Sequence, residues 1–193
     1  MRKLKEIKLL VLMIIMTFLS GCAITAAGGA AAGASASLDR RTAGTVIEDQ
    51  AIEIKSYRAI QADKELDEQS HINITSYNTK VLITGEAPLA EMQQKLTDLI
   101  TGISKVTHVY NEVTVAAPSS MVSRSSDTYI TTKVKTQLFA NEKLNGLVIK
   151  IVTEKGVVYM MGLVSREEAE ISTTIARETG GVQKVVKLFQ YLD

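Results

Sequence analysis

The feature that most constrains the fold is an internal repeat in this chain of 193 residues. Four positions match at an offset of 77: Ile72 with Ile149, Ile74 with Ile151, Val81 with Val158, and Gly85 with Gly162. A repeat at a fixed offset is typical of one structural unit that is used twice. We therefore predict two domains of the same kind, residues 45–115 and 124–193, joined by a linker at residues 116–123.

The first copy reads as helix, strand, strand, helix, strand. Thr45 and Glu48 have capping-box spacing and predict the start of a helix that runs to Asp67. Strands are predicted at residues 72–75 and 81–85 from their apolar and polar alternation, and again at residues 106–115. Between them a helix is expected to begin near Pro88 and to end at Gly102. The predicted inner face of the first helix consists of Ile47, Ala51, Ile54, Ile60 and Leu66.

The second copy repeats this order. Asp127 is predicted to cap a helix whose inner face is Ile130, Val134 and Leu138. A hairpin follows around residues 154–156, and a capping box at Ser165 opens a helix that ends at Gly180 and Gly181. A strand at residues 182–192 closes the unit. The predicted fold class is α+β, with two helices packed on one face of a three-stranded sheet in each copy.

Two glycines occupy the same place in both copies. Gly85 and Gly162 each end a hairpin strand before a helix. Glycine there permits a positive φ or a close approach of another backbone segment. We interpret both as structural glycines, which need not bind anything.

The N-terminus has the pattern of an export signal. Bases at Arg2, Lys3, Lys5 and Lys8 precede an apolar run of 11 residues, 9–19. About 20 apolar residues are needed to cross a bilayer core, so this run predicts a signal peptide over residues 1–21. Cys22 is the only cysteine in the chain and follows Leu19-Ser20-Gly21 directly. An ordinary signal peptide with a bystander cysteine is the alternative.

This segment resembles a bacterial lipoprotein signal. The resemblance implies that Cys22 carries a covalent diacylglycerol and an N-acyl chain, and no other cofactor is expected. Ala23, where an aspartate would favour the inner membrane, implies an outer-membrane location with the protein facing the periplasm. Residues 22–44 are rich in Ala, Gly and Ser and are predicted to form a tether, although small-residue packing between helices is an alternative.

Charge separates the two copies. Without residues 1–21 the chain has 18 bases and 20 acids, a net charge of −2, which does not favour nucleic-acid binding. Residues 45–115 have 6 bases and 11 acids, and residues 124–193 have 10 bases and 8 acids. Their net charges are therefore −5 and +2. Only the second copy is suited to an anionic bilayer.

Two stretches resemble the BON domain, namely Val81-Leu82-Ile83-Thr84-Gly85 and the residues from Val158 to Val164. Residues 39–45 and 127–134, together with the lipoprotein signal, extend the resemblance to outer-membrane lipoproteins with two BON domains. It implies phospholipid binding without catalysis and a role in envelope integrity at division sites. It also implies that the second domain binds anionic phospholipid, such as phosphatidylglycerol, through its first helix. A partnership with the outer-membrane assembly machinery, or a haemolysin-like activity, is implied for some members.

The candidate lipid contacts lie on that helix. Tyr129, Lys133 and Thr136 share one side of a helical wheel, and an aromatic ring beside a lysine suits a membrane interface. The resemblance aligns Tyr129 with a tryptophan of the lipid-contacting helix. Ile130, Lys135 and Phe139 lie elsewhere on the same helix and are further candidates. Ile130 is nevertheless expected to be mainly a core residue. An ordinary solvated flank is the alternative for the other residues.

Residues for catalysis or metal binding are not grouped in the sequence. His71 and His108 are far apart and have no clustered carboxylates or cysteines beside them, so we predict no metal site and no catalytic residues. Two alternatives to lipid binding stay open. One is a scaffold in which the acidic first domain contacts the assembly machinery, and the other is a membrane-damaging cytolysin.

Overall fold

A computed structural model describes residues 39–192. The predictions for the signal peptide, for Cys22 and for residues 22–38 of the tether concern residues outside this range. The described residues form one compact unit.

The first domain contains three helices and three strands. In chain order they are α1 (Ala43–Ala62), α2 (Lys64–Gln69), β1 (His71–Tyr77), β2 (Lys80–Ala87), α3 (Ala90–Thr101) and β3 (His108–Val115). The short helix α2 was not predicted. It forms because Asp63 interrupts α1, and its side chain caps the new helix by accepting a hydrogen bond from the Leu66 N–H.

The second domain has the same order of elements. It comprises α4 (Met121–Ala140), a 3₁₀ turn (Gly146–Val148), β4 (Ile149–Glu154), β5 (Val157–Val164), α5 (Arg166–Glu178) and β6 (Lys184–Tyr191). In both sheets the middle strand pairs antiparallel with the first strand and parallel with the third. Ile72 faces Gly85 and Ile149 faces Gly162, so the register repeats as well. The predicted α+β class is confirmed.

Each sheet is covered by helices on one face. In the first domain Ile52 of α1 and Leu96 of α3 pack against Val81 and Ile83 of β2. In the second domain Val134 of α4 and Ala176 of α5 pack against Val158 and Met160 of β5. Burial of these apolar side chains is the main stabilising contribution within each domain.

The other faces of the two sheets pack on each other. This sheet–sheet cluster consists of Tyr77 and Leu82 from the first domain with Tyr159, Met161 and Leu188 from the second. The Tyr77 hydroxyl also donates a hydrogen bond to the Val148 carbonyl at 3.2 Å. The sequence left the packing of the two domains open. In the structure, the apolar sheet–sheet cluster joins the two domains.

Ion pairs reinforce this interface at its edges. Glu86 of β2 is fully buried and lies 2.9 Å from the Lys155 ammonium of the second domain. Arg40, just before α1, contacts both carboxylate oxygens of Glu168 at 2.6 and 2.8 Å and donates to the Leu163 carbonyl. Arg41, by contrast, pairs within the first domain, with Asp49 of α1. Residues 39–44 of the predicted tether are therefore held against the folded domains.

The start and the inner face of α1 differ from the prediction. The N-cap is Thr42, whose hydroxyl accepts from the Thr45 N–H, and the helix begins at Ala43. Ile47 is 71% exposed and Ile54 is 43% exposed. The buried face carries Asp49, Ile52, Ser56 and Ile60. The apolar periodicity predicted the wrong inner face for α1 because two of the inward positions are polar residues with hydrogen-bond partners.

The start of α4 also differs. The helix begins at Met121, inside the predicted linker, with Ser120 as its N-cap. Asp127 lies in the middle of the helix and caps nothing. The predicted inner face of α4 is buried as expected. The predicted capping box at Ser165 is also present, with the Glu168 N–H donating to Ser165 Oγ at 3.2 Å.

Candidate functional site

The solvent-facing side of α4 is a stripe of exposed side chains. Val122, Tyr129 and Thr136 stand seven residues apart and so share one face. Val122 is 80% exposed, Tyr129 65% and Phe139, at the edge of the same face, 55%. We call Val122, Tyr129, Thr136 and Phe139 the α4 stripe. Exposed apolar side chains grouped on one helix face are typical of a contact surface.

Lys133 lies beside this stripe and is held in place. Its ammonium lies 5.3 Å from the centroid of the Tyr129 ring and donates a hydrogen bond of 2.5 Å to the Gly180 carbonyl. The cation–π contact favours an outward orientation of the tyrosine ring. Tyr129 and Lys133 of the predicted group are thus in contact, and Thr136 lies two turns from Tyr129 along the same face. The Thr136 hydroxyl donates to the Thr132 carbonyl within the helix.

The charged side chains of α4 are mostly basic. The helix contains the bases Arg124, Lys133 and Lys135, and its one acid is Asp127. The Asp127 carboxylate is buried and accepts hydrogen bonds from the Lys155 and Gly156 N–H groups at 2.9 and 2.8 Å. The exposed side of α4 therefore presents no carboxylate to a partner.

Two of the other predicted residues have different surroundings. Ile130 is 5% exposed and belongs to the core of the second domain, so it offers no surface to a partner. Lys135 is exposed on the flank of α4 that faces the first domain. It has no carboxylate within ion-pair distance among residues 39–192.

The two structural glycines lie inside β2 and β5, two residues before those strands end, and not at the strand ends as predicted. Gly85 has a φ of +119°, and a Cβ there would overlap the His71 carbonyl. At Gly162 a Cβ would lie 2.7 Å from the Val148 carbonyl oxygen, which is too close for a side chain.

A groove between the domains adjoins the stripe. It has a volume of about 530 Å³ and is lined by His71 and Asn73 of β1, Arg124 and Lys135 of α4, and Thr153 and Glu154 of β4. Asn73 donates to the Glu154 carboxylate at 3.2 Å. Sequence reasoning missed this groove because it depends on how the two domains pack.

Metal-binding and membrane-spanning features are not found in residues 39–192. No group of three or more His, Cys, Asp or Glu side chains has the arrangement of a metal site in this range. His71 lies in the groove, and His108 packs edge-on against Tyr110. None of the helices in this range combines the length and apolar character that a membrane crossing requires.

Comparisons with known proteins agree with the two-domain architecture. The BON domain family matches residues 48–117 and 126–193. Outer membrane lipoprotein DolP of Haemophilus influenzae is 36% identical over 186 residues, which cover 96% of this chain and 96% of that protein. The 21 kDa hemolysin of Actinobacillus pleuropneumoniae is 34% identical over 155 residues, or 80% of each chain.

Among solved structures, the C-terminal domain of CdsD, the structural protein of the Type III secretion system of Chlamydia trachomatis, covers 75% of this chain and 67% of its own. The identity is 15% and the TM-score 0.29, a likeness too low to carry an argument. The two BON matches and the full-length likeness to the Haemophilus protein do carry one. The chain belongs to the BON-domain family, as a dual BON-domain protein similar to DolP.

Proposed function

We propose that this chain is a non-enzymatic outer-membrane lipoprotein that faces the periplasm and supports envelope integrity at division sites. The name of the Haemophilus relative supports the location. The Leu19-Ser20-Gly21-Cys22 sequence supports lipidation at Cys22. Several acyl chains would hold the protein more firmly than the marginal binding of a single chain.

The second domain binds anionic phospholipid, such as phosphatidylglycerol, through the α4 stripe. One observation carries this proposal: α4 exposes Val122, Tyr129 and Phe139 while its single carboxylate is buried. Aromatic rings favour the headgroup region of a bilayer. Each base near an anionic surface contributes about 1 kcal/mol, so the bases of α4 favour anionic over zwitterionic lipid.

Liposome sedimentation tests this proposal. The chain from residue 22 is prepared with Cys22→Ser, because an acyl anchor would bind any membrane. We expect salt-sensitive binding to vesicles that contain phosphatidylglycerol and none to purely zwitterionic vesicles. The double variant Tyr129→Ala with Lys133→Glu should lose binding.

The matched control makes the same chemical changes elsewhere in the second domain, as Tyr191→Ala with Lys150→Glu. Both residues are exposed and lie outside α4. This control should lower binding less than the α4 variant does. Equal binding by the wild type and the α4 variant would contradict the proposal.

A scaffold function is the second candidate, and the surface of α1 favours it. Ile47 and Ile54 are exposed and lie on one side of the helix, in a domain with a net charge of −5. Such a surface suits a basic protein partner, which would be a component of the outer-membrane assembly machinery. Crosslinking from position 47 in cells tests this idea. Recovery of only self-crosslinked protein would contradict it.

Lysis of red cells is a third candidate, which only the name of the Actinobacillus relative favours. The α4 stripe is interrupted by hydroxyl side chains and suits adsorption rather than deep insertion. We therefore expect no lysis by the purified acylated protein. Haemoglobin release at concentrations that saturate liposome binding would establish this candidate instead.

A further inference from the structure

A second pocket opens on the flank of α4 that faces away from the first pocket and its groove. It lies between α4, the hairpin turn that joins β4 to β5, and the loop that joins α5 to β6. Its volume of about 430 Å³ is in the usual range of small-molecule sites. We call it the flank pocket, and its lining includes Ser123, Ser126, Asp127, Tyr129, Gly180 and Gln183. Because Tyr129 belongs to both surfaces, a molecule that covers the α4 stripe can also enter this pocket.

The polar side chains of the flank pocket have unused hydrogen-bonding capacity. The side chains of Ser123, Ser126 and Gln183 make no hydrogen bond within residues 39–192. Ser126 and Gln183 are exposed, and Ser123 is half-buried. A serine hydroxyl and a glutamine amide can each donate and accept a hydrogen bond. Neutral groups that do both are suited to the hydroxyl groups of a ligand.

The inner end of the flank pocket suits a neutral ligand. Asp127 is 7% exposed, and its carboxylate accepts hydrogen bonds from the Lys155 and Gly156 N–H groups. A carboxylate oxygen can accept a further hydrogen bond from a hydroxyl group. The same negative charge repels a phosphate. A ligand that enters this end is therefore expected to present hydroxyl groups and no anion.

Lys133 supplies a cation at the outer rim of the flank pocket. Its ammonium donates to the Gly180 carbonyl and lies 5.3 Å from the centroid of the Tyr129 ring, and both of these residues line the pocket. Two of the three ammonium protons remain for an anion. The side chain of Lys133 thus extends back along α4 to the level of Tyr129, which is three residues, or about 4.5 Å along the axis, from Ser126. A glycerol group attached to a phosphate spans such a distance.

We infer that the flank pocket binds the glycerol headgroup of phosphatidylglycerol. Lys133 binds the phosphate at the rim, and Ser126 and Gln183 bind the glycerol hydroxyls. This inference rests on the proposed lipid binding. It adds a reason for the protein to prefer phosphatidylglycerol to other lipids of the same charge, which the bases of α4 alone do not supply.

The test compares two lipids of equal charge. Phosphatidylpropanol has the phosphate and the three-carbon chain of the phosphatidylglycerol headgroup but lacks its two hydroxyl groups. Vesicles with equal mole fractions of one lipid or the other are titrated against the Cys22→Ser chain, and sedimentation gives the affinity for each. We expect about tenfold tighter binding to phosphatidylglycerol, the scale of two neutral hydrogen bonds.

Variants assign the ligands. Ser126→Ala and Gln183→Met should each reduce this preference about threefold and leave the affinity for phosphatidylpropanol unchanged, because each removes a group that contacts only the hydroxyls. Ser125→Ala is the matched control. Ser125 is the neighbouring residue of α4, and its hydroxyl donates to the Met121 carbonyl within the helix. The control should keep the full preference, and alanine at either exposed serine favours the helix.

Two results would overturn the inference and leave the proposed lipid binding intact. One is equal affinity of the wild type for the two lipids. The other is a preference that persists when Ser126→Ala and Gln183→Met are combined, or that Ser125→Ala reduces as much as Ser126→Ala does. Absence of binding to both kinds of vesicle would contradict the proposed function, and this inference with it.

Discussion

Asp49 and Asp127 occupy equivalent places in α1 and α4, and each accepts hydrogen bonds from the two central N–H groups of its own hairpin turn. The partners are Asn78 and Thr79 for Asp49, both at 2.8 Å, and Lys155 and Gly156 for Asp127. All four turn residues have a positive φ between 49° and 73°. Two consecutive positive φ angles define a type I′ turn. A buried aspartate thus stabilises the left-handed turn in both domains.

Loss of this aspartate should be costly. We expect Asp127→Ala to lower the free energy of unfolding by about 2–3 kcal/mol, because two backbone N–H groups lose a charged acceptor. Asp49→Ala should cost more, since Asp49 also pairs with Arg41 and since Thr79 is a β-branched residue in a left-handed conformation. Urea denaturation measures both. A smaller loss in Asp49→Ala than in Asp127→Ala would contradict this account.

Gly85 should tolerate no side chain. Gly85→Ala is expected to cost about 3 kcal/mol, because it combines an unfavourable φ with overlap of the His71 carbonyl. Gly44→Ala is the control, since a Cβ there meets only the Thr42 hydroxyl at 3.7 Å. In thermal unfolding, the melting temperature of Gly85→Ala should be clearly lower than that of Gly44→Ala. Similar melting temperatures would be the contrary result.

The two domains should unfold together. Met161 of the sheet–sheet cluster is 1% exposed, and Met161→Ala should lower the free energy of unfolding by about 3 kcal/mol while a single transition is retained. Calorimetry checks this expectation by comparing the calorimetric and van 't Hoff enthalpies. Two resolved transitions in the wild type would show that the cluster does not couple the domains.

Much of this fold could be predicted from the sequence because the local signals agreed with the tertiary structure. The hairpins, the capping box at Ser165 and the buried face of α4 all follow from patterns of neighbouring residues. The inner face of α1 could not, because Asp49 and Ser56 are buried with partners that lie elsewhere in the chain or one turn away. The same reason made Asp127 look like a helix cap.

The candidate site likewise has one part that local spacing predicts and one part that depends on tertiary packing. Tyr129, Lys133 and Thr136 share a helix face, which spacing alone indicates. The groove could not be anticipated, since His71 and Arg124 belong to different domains. Their proximity depends on a cluster between sheets that no local pattern encodes.

Acid should weaken the contact between Arg40 and the second domain. The hydrogen bond from Arg40 holds the pKa of Glu168 below its ordinary value of 4.5. A lowered folded-state pKa stabilises the protein above pH 4.5, and this contribution is lost as the pH falls through the folded-state value. Glu168→Gln should cost about 1 kcal/mol at neutral pH and progressively less in acid.

Glu170→Gln is the control for that experiment, because Glu170 is exposed and lies 3.4 Å from Lys187 on the surface of the same domain. Denaturation curves at several pH values should show a pH-dependent difference from the wild type for Glu168→Gln alone. A difference that stays constant down to pH ~3 would mean that the pair does not titrate with folding.

A larger aromatic ring on α4 should strengthen lipid binding. Tyr129→Trp increases the apolar area at a position that is 65% exposed, so we expect several-fold tighter binding to vesicles with phosphatidylglycerol. Tyr191→Trp provides the same change away from α4. Tryptophan fluorescence reports the contact directly, because the chain has no tryptophan of its own. An emission spectrum of the Tyr129→Trp variant that does not shift to the blue on binding would contradict the orientation.

The sheet–sheet cluster also limits how recombination can exchange the two domains. At the offset of 77, Leu82 corresponds to Tyr159, Tyr77 to Glu154, and Glu86 to Leu163, so the two copies present different residues to each other. The contact surfaces of the two copies are complementary, so one copy cannot take the place of the other. Recombination that exchanged one copy alone would separate Glu86 from Lys155 and Tyr77 from Val148. The pair is therefore expected to be transmitted as one unit, although both domains have the same order of strands and sheet helices.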